Sequence, residues 1–208
     1  MSEPLLQAVD LSCERDDRVL FRDLSVSIVP GTLTRVEGPN GSGKTTLLRI
    51  LAGLHDGYTG RILWRGQPRG GMRDQFLRNL LYIGHRPGVK PLLTPLENLR
   101  ALLAGRHRHP DGVLRQALDG CGLAGFHDVP SQHLSAGQQR RVALARLLIS
   151  DEPLWILDEA FTAIDFQGVD SLERLLGQRV ASGGAVVVTT HHPLALAGMQ
   201  RVELGQPS

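Results

Sequence analysis

The segment GPNGSGKTT, Gly38 to Thr46, restricts the possible folds more than any other stretch of this 208-residue chain. It fits Gly-x-x-x-x-Gly-Lys-Thr in full, with Gly38, Gly43, Lys44 and Thr45 at the fixed positions. Pro39, Asn40, Gly41 and Ser42 fill the loop, and Thr46 follows it. A loop of this kind works only between a strand and a helix, because its backbone N–H groups must curl around a β-phosphate. Gly41 and Gly43 leave room where a Cβ would obstruct that approach. Lys44 reaches the β and γ oxygens, Thr45 can ligate Mg²⁺, and the next helix turns its positive end toward the anion. The neighbours supply the context: LTRVE reads as a strand, and TTLLRILAGL carries apolar residues at helical spacing up to Gly53. The chain reads as an α/β P-loop fold. A phosphate cradle implies a bound nucleotide and leaves the reaction open.

The reaction is narrowed by LWILDE, Leu154 to Glu159. Four apolar residues of a buried strand deliver two carboxylates at its C-terminal end, where open parallel sheets bind ligands. Asp158 would hold Mg²⁺ through water, and Glu159 would orient an attacking water. A third element, LSAGQQRRVALAR from Leu134 to Arg146, opens another helix with Ser-x-Gly-Gln. A kinase or GTPase site, already furnished with one anion-binding helix, has no use for a second. Ser135, the Gly137 backbone N–H and the dipole of the following helix make a second half-site for a γ-phosphate. In a lone molecule that half-site would face solvent.

Around these motifs the pattern alternates between two architectures. LFRDLSVSIVPG, Leu20 to Gly31, alternates as an antiparallel strand and ends in a Pro-Gly turn, so the early chain forms a β-rich layer. Arg35 and Glu37 make the strand before the loop more polar than a central parallel strand should be. Residues from about Asn98 to Gly125 read as helices, broken at 107–112. They suggest a helical subdomain inserted at about 95–150 in one domain spanning 1–208. Helix 135–150, strand LWILDEA, helix 166–181 and strand AVVVTTHH then alternate, which implies a parallel sheet with helical crossovers.

The order P-loop, LSAGQ, LWILDE, Thr162-Ala-Ile-Asp165 and Thr190-His191 resembles the ATP-binding subunits of ABC transporters over essentially the whole chain. The resemblance implies an ABC ATPase domain with an N-terminal antiparallel β layer and an inserted helical subdomain. It also implies an ATP-dependent head-to-tail dimer in which Ser135, Gly137 and Gln138 of each copy complete the other's site. By the same likeness Asp165 belongs to the D-loop, and His191 is the switch histidine that contacts the γ-phosphate. IGHRPGVKPLLTPLENL, LWILDEAFTAID, VVVTTHHPL and the start LSCERDDRVLF narrow the likeness to the ATPases of cytochrome c maturation, the haem-exporter branch.

Three positions depart from the wider ABC pattern. His85, followed by Arg86, occupies the slot of the Q-loop glutamine, where metal and water contacts are made. Arg15 stands where an aromatic residue stacks on adenine, and a guanidinium can also stack on a base. Ala160 replaces a proline after the Asp-Glu pair.

Charge and cysteine usage bound the partners. The formal net charge is only +2, with arginines scattered apart from the cluster Arg106 to His109, so nucleic acid is not expected as a partner. Cys13 and Cys121 lie far apart without metal-ligand spacing and read as reduced thiols. No run of about 18 apolar residues occurs, and the acidic start lacks an apolar leader core. Membrane association is expected through partners, and the resemblance implies that these are membrane-spanning subunits of a haem export complex, with the chain peripheral on the cytoplasmic side of the inner membrane. An exporter of another substrate, or a soluble ABC-type ATPase acting on DNA or ribosomes, is the alternative. The latter usually carries two cassettes or a long coiled coil, and this chain has one cassette and no sustained heptads.

Overall fold

Period-two patterning near the start becomes a twisted antiparallel layer. In the computed structural model, which describes residues 3–105, 109–162, 166–194, 196 and 198–205, β1 (Leu6–Arg15) pairs with β2 (Arg18–Ile28) and with β4 (Thr59–Trp64). A two-residue β5 (Gln67–Pro68) completes the order β2-β1-β4-β5. Register shifts between Ala8 and Leu11 coincide with a left-handed Asp10, φ 52°, whose N–H is taken up by Ser25 Oγ at 2.9 Å. Short acidic side chains tolerate that conformation better than most residues.

The second sheet is ordered β6-β7-β8-β3-β9, with β7, β8, β3 and β9 paired in parallel. Its members are β6 (Leu80–Ile83), β7 (Leu154–Asp158), β8 (Ala185–Thr189), β3 (Leu33–Glu37) and β9 (Gln200–Glu203). Every residue of β7 and β8 is buried, as unbroken runs such as LWIL and AVVV require of strands covered on both faces. The polar strand β3 sits between β8 and β9 all the same. Its charges are neutralised locally: Arg35 Nε lies 3.0 Å from Glu37 Oε1, and Arg35 Nη2 donates to the Thr190 carbonyl at 3.2 Å.

Helix α1 (Lys44–Leu51) buries Leu47, Leu48, Ile50 and Leu51. Each such side chain contributes about 1.5–3 kcal/mol relative to exposure. They join a core with Leu6, Leu11 and Ile28 of the antiparallel sheet and Ile156 and Val187 of the parallel one. The C-terminal end of α1 is closed by the buried Arg69, which donates to the Ile50 and Leu51 carbonyls at 2.5 and 3.2 Å. A cation on those carbonyls complements the helix dipole and anchors the far end of the helix that starts at the phosphate loop.

The contacts divide the chain into two compact units. The first comprises residues 1–82, 152–159 and 176–208 and holds α1 and both sheets except Ile83, the last residue of β6. The second comprises 83–151 and 160–175 and is helical. Within the second, α3 (Pro95–Leu102) and α4 (Asp111–Gly120) flank the expected break in the helical pattern. α5 (Ala136–Leu144) tightens into a 3-10 turn over Ala145–Leu148. Leu99, Leu114, Leu118, Leu123 and Val142 form its core. The helix expected at 166–181 is α6 (Phe166–Ala181), and the short α2 (Arg73–Arg78) precedes β6.

Candidate nucleotide site

The chain leaves β3 at Glu37 and enters the loop through Gly38, φ +148°. A Cβ at Gly38 would lie 2.6 Å from both the Leu204 carbonyl oxygen and Ser42 Oγ, so no other residue fits there. Gly43 caps α1 in a left-handed conformation, φ +93°, and a Cβ there would come within 3.0 Å of Leu20 Cβ. Gly41, φ +82°, is different: nothing lies within 4 Å of its would-be Cβ. Glycine is needed at Gly41 for its backbone angle, and the space beside it stays open to a ligand. Lys44 Nζ donates to the Gly38 and Pro39 carbonyls at 2.7 and 3.0 Å, which folds the ammonium back over the loop. Asn40, Thr45 and Thr46 line the same cleft of about 290 Å³, as do Arg15 and Leu20. Arg15 also lies 3.3 Å from Asp16 Oδ2.

Glu159 lines this cleft as well, brought there by the end of β7. Its backbone is left-handed, φ 52°, which costs a non-glycine residue about 1–3 kcal/mol and persists only where the surroundings enforce it. The enforcing contacts come from β8, whose Thr189 is opposite Asp158 in register. The Glu159 N–H donates to Thr189 Oγ1 at 2.9 Å and to the Thr189 carbonyl at 3.1 Å. Thr189 Oγ1 in turn donates to Asp158 Oδ1 at 2.7 Å. Asp158 is 1% exposed, and a carboxylate so deeply placed needs partners of this kind. His191 Nε2 stands 3.6 Å from Glu159 Oε1, and the next turn is held by His192 N–H donating to Thr190 Oγ1 at 2.9 Å.

The structure thus gathers Arg15, the loop, Thr45, Asp158, Glu159 and His191 within one unit. Motif reading missed Thr189, Leu20 and Arg35. The signal for Thr189 was a polar residue ending an all-valine run beside an Asp-Glu strand. For Arg35 it was the charge in the middle of β3.

The second unit holds the remaining candidates. Ser135 Oγ accepts from the Gln138 N–H at 3.2 Å, and Gln138 Oε1 accepts from the Ser135 N–H at 2.9 Å. This reciprocal pair is a capping box, so Ser-x-Gly-Gln defines the helix start while Gly137 lies in its first turn. The first-turn N–H groups of a helix lack intrahelical acceptors and favour an anion. His85 is exposed, and the buried Arg140 of α5 donates to the Gly84 and His85 carbonyls at 2.7 and 3.2 Å. The loop after His85 is braced by the buried Asn98, which accepts from the Lys90 N–H at 2.7 Å and donates to Ser131 Oγ at 3.0 Å. Asp165 lies outside the described residues, as does most of the Arg106 to His109 cluster.

Residues 21–162 match the family model of the ABC transporter. A cytochrome c biogenesis ATP-binding export protein, CcmA, of Hahella chejuensis is 55% identical over 206 residues, covering 99% of this chain and 98% of its own. The protein of the same name from Escherichia coli strain K12 is 50% identical over 207 residues, covering 97% of each. Among solved structures, an ATP-binding subunit of an ABC transporter superposes with a TM-score of 0.83 at 24% identity, over 96% of this chain and 85% of that one. A bacterial ABC transporter cassette solved as a dimer gives 0.82 at 24% identity, over 96% and 94%. No described helix is long and apolar enough to cross a membrane.

Proposed function

This chain belongs to the ABC transporter ATP-binding family, and from that premise we propose that it is the ATP-hydrolysing subunit of an ABC complex in cytochrome c biogenesis. The observation that carries the reading is a single cleft lined by Lys44, Thr45 and Glu159, with Asp158 held beside it by the hydroxyl that also fixes Glu159. In this reading the loop N–H groups and Lys44 bind the β and γ phosphates of ATP, Arg15 packs against the base, and Glu159 orients the attacking water. His191, next to Glu159, contacts the γ-phosphate. Thr45 and Asp158 offer hard oxygen donors at the site, the donor type that suits Mg²⁺. The ion would neutralise charge on the phosphate oxygens during phosphoryl transfer.

Ser135, Gly137 and Gln138 complete the site of a second copy in a head-to-tail dimer, and Asp165 of the D-loop communicates across that interface. The capping box supports this role, since it presets the helix start without a ligand. His85 and the helical subdomain at about 95–150 face the membrane-spanning subunits, which keep the chain peripheral at the inner membrane. The work coupled to hydrolysis is haem export or release of a haem-loaded chaperone. Isolating the chain with its membrane partners and measuring ATP-dependent release of haem chaperone tests the reading. Co-purification with an exporter of another substrate, without haem-chaperone release, overturns it.

A further inference from the structure

Strand β8 reads Ala-Val-Val-Val-Thr with every residue buried, and only its last side chain is polar. Valine has nearly the shape of threonine, so packing alone gives no reason for a hydroxyl at zero exposure. A buried hydroxyl is tolerated because its hydrogen-bonding capacity is used. A hydroxyl has one proton to give and lone pairs that accept. The Thr189 proton goes to Asp158 Oδ1 at 2.7 Å, a charge-assisted bond that fixes the carboxylate rotamer. A lone pair of the same oxygen receives the Glu159 N–H at 2.9 Å. That bond shares the Glu159 N–H with the Thr189 carbonyl at 3.1 Å, and the two together hold the peptide plane at Glu159, whose φ is 52° and whose side chain lines the cleft.

We propose that Thr189 is a positioning residue for ATP hydrolysis, one hydroxyl setting the orientation of both Asp158 and Glu159. Thr190 beside it does something else, since its hydroxyl accepts from the His192 N–H. The inference rests on the roles given above to the two carboxylates.

The test compares Thr189→Val, which removes the hydroxyl and keeps the shape, with Thr189→Ser, which keeps the hydroxyl, in the complex as isolated from membranes. Thr189→Val should lower kcat about tenfold or more, the scale of a lost hydrogen bond to a charged group, and leave ATP affinity measured without divalent metal within about threefold. Thr189→Ser should restore kcat to within about threefold. Mn²⁺ binding in the presence of a non-hydrolysable ATP analogue, followed by electron paramagnetic resonance, should weaken about fivefold or more in Thr189→Val and recover in Thr189→Ser. Wild-type turnover by Thr189→Val overturns the inference. So does a Thr189→Ser variant as impaired as Thr189→Val, or metal-free ATP affinity that falls in step with kcat. Should Thr189→Val not fold, Thr189→Cys replaces it as a weak donor of similar size, with the same expected loss and the same overturning result. Glu159→Gln is measured alongside. Normal turnover by Glu159→Gln refutes the carboxylate roles themselves, whereas a stalled Glu159→Gln beside a normal Thr189→Val refutes only the part given to Thr189.

Discussion

His191 Nε2 and Glu159 Oε1 lie 3.6 Å apart, with the imidazole 71% exposed and the carboxylate 17% exposed. The histidine can therefore meet a phosphate from the solvent side while Glu159 stays anchored on β7. His191→Ala should lower ATP turnover about tenfold or more and change ATP affinity far less, because the contact proposed for it matters most as charge moves on the γ-phosphate. Steady-state kinetics with equilibrium binding measures both. Equal losses in the two quantities would make His191 a simple binding residue.

Lys44→Ala removes the ammonium that rests on the Gly38 and Pro39 carbonyls. Nucleotide binding should weaken about tenfold or more, as expected for loss of a charge-assisted contact. Titration with a fluorescent ATP analogue reads this directly. Normal turnover in that variant contradicts the phosphate-cradle assignment.

Glu159→Gln keeps the left-handed backbone and the bonds to Thr189 while removing the carboxylate. Binding should persist, hydrolysis should stall, and a dimer locked by ATP should accumulate in size-exclusion chromatography. Glu159→Gly should be at least as stable to heat as the parent, because glycine adopts φ of 52° without strain, yet it should be inactive. A lower melting temperature in Glu159→Gly would mean that the side chain contributes more to stability than the backbone strain removes.

Ser135→Arg breaks the capping box and fills the start of α5 with a long side chain. Loss of the cap should reduce stability by about 1 kcal/mol, readable as a small shift in the denaturant midpoint. ATP binding by the single subunit should be unchanged, while turnover of the assembled protein is abolished. An unchanged rate removes Ser135 from the shared site.

Burial pushes the Cys121 thiol up to about 11, with Arg141 pulling weakly the other way. At pH 8 only about one molecule in a thousand carries the thiolate, so alkylation should be about a hundredfold slower than for an unperturbed cysteine. In a Cys13→Ser background the rate of iodoacetamide labelling should climb steeply between pH 9 and pH 11. The linkage has the same sign: the folded pKa exceeds the unfolded one, so this thiol's stabilising contribution is complete below about pH 9 and disappears as pH rises through about 11.

How much could be read beforehand differs from one element to the next. The phosphate loop, LWILDE and the buried valine strand are legible because each is local: a short window fixes both the backbone conformation and the chemistry. The segment at Ser135 reads only as a half-site for a phosphate, although Ser135 and Gln138, three residues apart, also encode the capping box that the structure shows. Arg35 and Glu37 made β3 look too polar for a central strand, because a single-strand pattern cannot show that the two neutralise each other and that Thr190 offers a carbonyl. Thr189 was hidden for a related reason. Its bonds reach residues about thirty positions earlier, across a parallel pairing that sequence separation does not reveal. The register shift between Ala8 and Leu11, where Ser25 reaches Asp10 from fifteen positions away, is likewise non-local.

The carbonyl of Leu204 occupies the space that a side chain at Gly38 would need, and the Leu204 N–H donates to the Glu37 carbonyl at 2.8 Å. The loop written in Gly38 to Thr46 is consequently finished by a segment that the chain supplies far downstream. Cut out as a peptide, the motif would keep its letters and lose its floor. Clipping the protein just before β9 should therefore injure nucleotide retention even though every motif residue survives.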